Sequence, residues 1–352
     1  MRKNCVLDWV SMNSETPTNS LSSSRRQFLK TSAVVGAAAA AMPSATLRAA
    51  TNKNSRLRIF QIGVGGIGGM QRNGLKGHPM VEFAGFCDVD ATAFSKVDTD
   101  HPDTFRVADY REAFADRVDE FDAVIVDTPD FHHAPMMVTA LNHGKHVYGQ
   151  KPLVHQLDEL RLIREALAAN PSLFTQMGNQ RACTNGRMQA VEILKSNQLG
   201  RPVEAFIWTG GMKYGTYFVD PWSSLPEAKP VPETMNWDLW NGPLTKAMNY
   251  SEDMAPRRWR SYWETGGGML ADWGCHLLDV LYFAYDLPSP EAVQTNTIKA
   301  AGDGHSGYNL STLTYAGGEG FARKKFTVQY NDSGVRPSFA ALGLPVSGIK
   351  GS

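Results

Sequence analysis

Neither charge is in surplus in this sequence: 35 lysines and arginines stand against 35 aspartates and glutamates. Without a basic excess there is no electrostatic footprint for DNA or RNA, and no long like-charge run reads as an interaction tail. Cysteine is scarce, four in 352 residues, and no Cys-x-x-Cys occurs, which argues against a disulfide-stapled scaffold. The apolar stretch from Ala33 to Met42 is far shorter than the ~20 residues that span a bilayer, so no stable membrane span is expected. What remains is a globular composition, 42% hydrophobic and 20% charged, long enough for two domains.

Residues 1–50 read as an export signal and not as part of the fold. "SSSRRQFLKTSAVVGAAAAAMPSATLRAA" runs from a polar segment through Arg25-Arg26 and a short apolar run to small residues near Ala49. Ser24 to Lys30 resembles the twin-arginine signal, which implies a periplasmic address and the twin-arginine export machinery as a partner. A start at Met12 would leave a more usual signal length than a start at Met1. Cleavage near Ala49 removes Cys5 and leaves Cys87, Cys183 and Cys275, an odd number without a framework spacing.

The next segment reads as a nucleotide fold. An apolar run, Leu57 to Ile62, ends in Gly63, and Gly63, Gly65 and Gly68 make G-x-G-x-x-G at the start of a helical stretch that includes Ile67. Gly63 suits a tight turn, Gly65 a close backbone approach to a pyrophosphate, and Gly68 helix packing; the unpaired N–H groups at the helix start would meet the phosphates. Asp88 follows twenty residues after Gly68, at the end of a second apolar run. A carboxylate there accepts from a ribose diol and repels a 2′-phosphate, so NAD is favoured over NADP; the plainer alternative is a loop cap. Further strands at "FDAVIVDTP" and "KHVYGQKP" alternate with helices, which implies a parallel sheet with right-handed crossovers. Thr128-Pro129 sits past a strand's carboxyl end, where ligands gather, with His132 and His133 nearest that rim. Lys151, pushed towards extended geometry by Pro152, can aim its ammonium at a reacting hydroxyl, or stand as a solvated turn lysine.

From Val203 to Thr209 a strand is expected, followed by roughly fifty irregular residues holding Trp222, Trp237, Trp240, Trp259 and Trp263. Those rings either stack on sugar faces or pack the loop. Asp272, His276 and Asp279 then fall at i, i+4 and i+7, one face of a helix whose other faces are apolar. Asp279 reads either as support for His276 or as a helix-face hydrogen bond. Asp272, Cys275 and His276 raise a zinc reading, but Cys275 projects about 100° from His276 and no further ligand cluster follows, so no metal is expected. Strand-like runs at "AVQTNTIKA", "NLSTLTYA" and "GFARKKFTVQY" follow; the ending lacks alternation, which leaves a truncated or divergent C-terminus open.

Taken in order, the glycine motif, Gln150-Lys151-Pro152 and Asp272-x-x-x-His276 resemble the Gfo/Idh/MocA oxidoreductases, from about Leu57 to about Leu287. The resemblance implies an α/β chain with an N-terminal Rossmann dinucleotide-binding domain over residues 51–180 and a C-terminal α+β domain over 181–352. The second domain would carry an open, largely antiparallel sheet, through which a homo-oligomer would form. It implies Lys151, Asp272 and His276 as catalytic residues and a sugar or polyol substrate. Gly63, Gly65, Ile67, Gly68, Asp88, Thr128, Pro129, His133, Gln150 and Lys151 would hold NAD; Asn179 and Gln180 of "QMGNQ", Trp237 and His276 would meet substrate. One departure is visible: the family's usual Glu-Lys-Pro has Gln150 in place of glutamate, which removes an anion beside Lys151.

The expected chemistry has His276 as general base, Lys151 stabilising the developing alkoxide and Asp272 orienting, with hydride passing to the nicotinamide. Two other classes stay open. One is a redox-neutral glycosidase or epimerase-type enzyme with a recycled bound cofactor; the other is a non-catalytic sugar-binding protein on the same fold.

Overall fold

A computed structural model of the chain describes residues 56–210, 217–219, 224–297, 303–306, 308–334, 336 and 338. The twin-arginine segment with Cys5, Trp222 and the ending from residue 339 lie outside the described residues. Two compact units emerge. The first runs to Asp127 and takes in Met137–Tyr148 and Ile163–Gln176; the second holds Thr128–Met136, Gly149–Leu162 and Met177–Ser352.

The first unit is built on β1 (Leu57–Ile62), α1 (Gly66–Leu75), β2 (Val81–Cys87), α2 (Ser95–Asp100), β3 (Phe105–Val107), α3 (Tyr110–Asp116) and β4 (Ala123–Val126). The chain continues through α4 (His133–Asn142), β5 (His146–Gln150), α5 (Leu157–Ala169) and β6 (Thr175–Gly178). The strands form one sheet in the order β3-β2-β1-β4-β5-β6, and β1 lies parallel to both β2 and β4. All four residues of β4 are buried, as are the last four of β1. Continuous burial instead of alternation is what a parallel strand covered on both faces requires. Ile59, Val64, Phe83, Phe86, Val97 and Ile125 form one core cluster, and Phe60 packs against Phe105, Phe114 and Phe121. Each such side chain contributes on the order of 1.5–3 kcal/mol by leaving water. Between β1 and β4 the strand order reverses, the place where this architecture opens a ligand crevice.

The second unit adds α6 (Asn185–Lys195), β7 (Glu204–Trp208), α7 (Trp237–Asn241), α8 (Gly268–Tyr285), β8 (Ala292–Thr297), β9 (Asn309–Ala316) and β10 (Lys325–Asn331). Its sheet runs β7-β10-β9-β8; the β9 pairs with β10 and β8 are antiparallel, and β7 joins β10 in parallel. Phe326, Val328 and Tyr315 point to one side, where Leu281 and Leu287 cover them and Leu278, Val280, Tyr282 and Tyr285 pack around the edge. Tyr282 and Tyr315 close the contact through their hydroxyls at 3.0 Å. That packing fixes which side of α8 is turned away from the sheet. The helix starts on Gly268 at φ +62°, where a Cβ would stand 2.8 Å from the His305 Cβ, so glycine is required by both backbone and space. No helix among the described residues is long and apolar enough to cross a membrane.

Candidate active site

In the first unit the loop after β1 is shaped by its glycines. Gly63 takes φ +86° and donates its N–H to the Cys87 carbonyl at 2.8 Å. Gly65 caps α1 in extended geometry, and a Cβ there would meet nothing within 4 Å, so the outer side of the loop is open. At Gly68 a Cβ would sit 2.1 Å from the Gly63 oxygen, which enforces the close packing of helix on loop. The loop is braced from beneath: the buried Gln61 amide donates to the Gly68 carbonyl at 2.9 Å and to Asp127 at 2.8 Å. Asp88 accepts the Val64 N–H at 3.0 Å and the Asp90 N–H at 3.1 Å, which aims its carboxylate at the loop. Burial raises its pKa, and those main-chain donors oppose the rise. The first turn of α1 carries no acidic residue of its own, and Ile67 lies half-buried in that turn. An open glycine cradle at a helix N-terminus and an oriented carboxylate fit a dinucleotide.

The second unit gathers the polar residues singled out from the sequence. Lys151 Nζ donates to Asp272 Oδ1 at 2.5 Å and to the Asp272 carbonyl at 2.6 Å, with both side chains largely buried. Arg260 Nε reaches the same Oδ1 at 3.4 Å. Burial alone would raise the pKa of Asp272, but Lys151 and Arg260 outweigh it and hold the carboxylate below its ordinary range. One turn further on, His276 is pushed down to about 4, first by burial and then by Lys151, with Asp272 opposing. Its ring is therefore neutral at ordinary pH. Gln150, buried, accepts from the Gln180 amide at 3.0 Å and from the Lys151 N–H at 3.3 Å.

Asn179 donates to the Cys275 carbonyl at 3.0 Å and to Asp279 Oδ2 at 2.9 Å, while Arg187 pairs with Asp279 Oδ1 and donates to the His276 carbonyl. Asp279 thus engages Arg187 and Asn179 and clamps the turn of α8 that carries His276. Three buried polar atoms in this group lack a hydrogen-bond partner among the described residues: His276 Nδ1, Asn179 Oδ1 and Gln150 Nε2. Leaving such an atom unpaired costs about 1–3 kcal/mol.

Residues around this cluster are placed less directly. His133 is buried, with Nδ1 at 2.7 Å from the Pro152 carbonyl and Nε2 at 2.9 Å from the Thr128 carbonyl. Burial, with Lys151 and Arg260 also unfavourable, lowers it to about 4, so the neutral ring donates to one carbonyl at a time. It ties the segment behind Thr128 to the one behind Lys151. Thr128 and Pro129 are half-buried, and the Thr128 hydroxyl lies 3.7 Å from the Met136 sulfur. Trp237 stacks on Trp240 at 4.2 Å and donates its indole N–H to the Met248 carbonyl at 2.6 Å, an arrangement of packing. Burial pushes the Cys275 thiol up to about 11, so it stays protonated. No group of three or more His, Cys, Asp or Glu among the described residues is placed to hold a metal ion.

Two residues of the cluster escaped sequence reasoning. Asp130, buried, is driven up to about 7 by desolvation, with Arg260, Asp272 and Lys151 in its field. Its one signal was its place directly after Thr128-Pro129. Arg260 sits in Arg257-Arg258-Trp259-Arg260, a dense cationic run that composition hides because the chain as a whole is neutral.

Comparison with known proteins gives three domain-level matches. Residues 57–176 match the oxidoreductase family with the NAD-binding Rossmann fold (GFO_IDH_MocA), and residues 186–323 match that family's C-terminal alpha/beta domain. Residues 22–42 match the twin-arginine translocation pathway signal sequence. An inositol 2-dehydrogenase of Rubrobacter xylanophilus is 28% identical over 155 residues, 43% of either chain. A glycosyl hydrolase family 109 protein of Saccharopolyspora erythraea is 30% identical over 160 residues, 39% of this chain and 35% of its own. These alignments span less than half the length of the curated relatives they match. Among solved structures, myo-inositol 2-dehydrogenase from Lactobacillus plantarum superimposes with a TM-score of 0.54 at 17% identity, covering 78% of this chain and 69% of its own. That likeness is one of fold.

Proposed function

The chain belongs to the Gfo/Idh/MocA oxidoreductase family, and on that footing we propose that it is a periplasmic NAD-dependent oxidoreductase acting on a hydroxyl of a sugar or polyol. The observation that carries this reading is the double bond of Lys151 to Asp272, with the neutral His276 one turn along the same helix. Lys151 has a third N–H left after its two bonds to Asp272, and that donor stabilises a developing alkoxide. His276 takes the hydroxyl proton at its unpartnered Nδ1. Asp272 stays ionised and fixes the ammonium, and Asn179 and Gln180 orient further hydroxyls. Gly63, Gly65, Ile67 and Gly68 would cradle the pyrophosphate, and Asp88 the adenosine ribose, which favours NAD over NADP. When bound, the cofactor supplies the hydride acceptor.

A second reading has its own support. Twin-arginine export carries folded proteins, and one relative is a glycosyl hydrolase, so a redox-neutral reaction with a retained, recycled cofactor competes with net oxidation. The test is to purify the signal-cleaved protein and follow the near-ultraviolet absorbance of reduced nicotinamide while sugars and polyols are added with excess NAD. Net oxidation accumulates reduced cofactor with turnover. The redox-neutral reading predicts product without accumulation. A protein that binds NAD and converts no sugar or polyol would sink both.

A further inference from the structure

We infer that Arg260 receives a carboxylate, so that the substrates of this site are acidic sugars and sugar acids, uronates and aldonates, in preference to neutral sugars. This inference rests on the reading of the Lys151 cluster as the reaction site. Asp272 does not satisfy Arg260. Its Oδ1 is already held by Lys151 at 2.5 Å, and Arg260 adds one contact to that oxygen at 3.4 Å, well beyond the 2.7–2.9 Å of a charge-assisted pair. The second bond of the side chain, Nη1 to the Arg257 carbonyl at 3.0 Å, orients the guanidinium without neutralising it. Of its five N–H donors, the described residues take these two.

The guanidinium is also held in a plane. It lies over the Trp259 ring at 4.2 Å and near Tyr217 at 5.7 Å, and Trp259 is itself buried and anchored through its indole N–H to the Pro256 carbonyl at 3.2 Å. Stacking occupies the faces of an arginine and leaves its N–H edge, which matches the two coplanar oxygens of a carboxylate. The local charge count agrees. Arg258 pairs with Asp253, but Arg257, over the same Tyr217 ring at 5.8 Å, has no carboxylate partner among the described residues. Lys151 and Arg260 thus share the one carboxylate of Asp272, and a further anion in their field is the buried Asp130, whose ionisation desolvation opposes. A neutral sugar would leave that surplus uncompensated, and a carboxylate on the substrate would cancel it.

The test compares matched pairs on the full signal-cleaved enzyme with NAD: glucuronate against glucose, galacturonate against galactose, gluconate against glucitol. Expected is a kcat/KM for the acid at least about tenfold above its neutral partner. Arg260→Gln should shrink that ratio by about tenfold or more, mainly through KM of the acid, and Arg260→Lys should restore part of it. NAD titration and thermal melting of both variants identify a folding failure; in that event the wild-type pairs decide alone. A wild-type preference for neutral sugars, or an acid-to-neutral ratio untouched by Arg260→Gln, would each overturn the inference and leave the proposed function standing. If no sugar of either kind is converted while NAD binds, the proposed function falls, and the inference with it.

Discussion

Lys151 and Asp272, 121 positions apart in the chain, are joined twice: one ammonium holds both the side chain and the main-chain carbonyl of the same residue. A grip on the carbonyl as well as the carboxylate fixes the rotation of α8 about its axis, and with it the bearing of His276. The pair is largely buried, so removing one partner leaves the other charge in a poorly solvated place, unlike the exposed Lys229–Glu252 pair, where little would change.

Lys151→Met should therefore lower turnover by about 10²–10³-fold, the scale of one lost electrostatic stabiliser. Affinity for NAD should hardly move, since the glycine cradle belongs to the other unit. Steady-state kinetics and NAD titration by fluorescence test the two halves; full turnover in the variant would remove Lys151 from the mechanism.

His276 makes a prediction about pH. With its ring held near 4, the acid limb of kcat/KM should fall close to pH 4 and not near 6.5. Arg187 helps keep the ring neutral, so Arg187→Gln should move the limb upward, while loss of the clamp on the His276 carbonyl lowers activity across the profile. A pH–rate profile of the two proteins decides it. An unchanged limb would mean that another group sets the profile.

The loop glycines separate folding from binding. Gly68→Ala puts a Cβ against the Gly63 carbonyl and should cost roughly 1–3 kcal/mol of stability. Gly65→Ala meets nothing in the protein and keeps an allowed backbone geometry, so it should melt like the wild type yet bind NAD poorly. Melting curves with and without NAD would expose an error in either half.

Stability should also depend on pH. His132 and His133 are buried, and burial lowers both to about 4, below the unfolded value of 6.5. The unfolded chain therefore binds protons that the folded one refuses between pH 6.5 and 4, and stability falls through that window by up to roughly 3 kcal/mol for each ring. Asp130 has the opposite sign. Its pKa is raised to about 7, so the stability it contributes is present below the unfolded value of 3.8 and is lost as pH rises through 7. Asp130→Asn should thus gain melting temperature over the wild type at pH 8 more than at pH 5. Equal differences at both values would mean that this carboxyl does not titrate there.

Much of this was legible in the sequence. The glycine loop could be read because strand, turn residues, helix and Asp88 are contiguous, and each does its work within a few residues of its neighbours. β9 occupies the run "NLSTLTYA", Asn309–Ala316, because alternation along one strand is a local property. The parallel pairing of β7 with β10 had no such signature, since strand direction depends on how the intervening chain returns. Residue type left Trp237 open between stacking on a sugar and packing the loop, and only the folded chain shows the Trp240 ring stacked on it.

The sequence by itself determined the residue types and their periods: a helix with Asp272 and His276 on one face, a lysine before a proline, a glycine cradle with its carboxylate. Tertiary structure alone decided the partners. It gave Asp279 to Arg187 and Asn179, and buried Asp130 in the field of Lys151, Asp272 and Arg260. It also left the Arg260 fork mostly unpaired. The reason is physical: hydrophobic period is set residue by residue along the chain, whereas the energy of a charge depends on distance and burial, which exist only once the chain has folded.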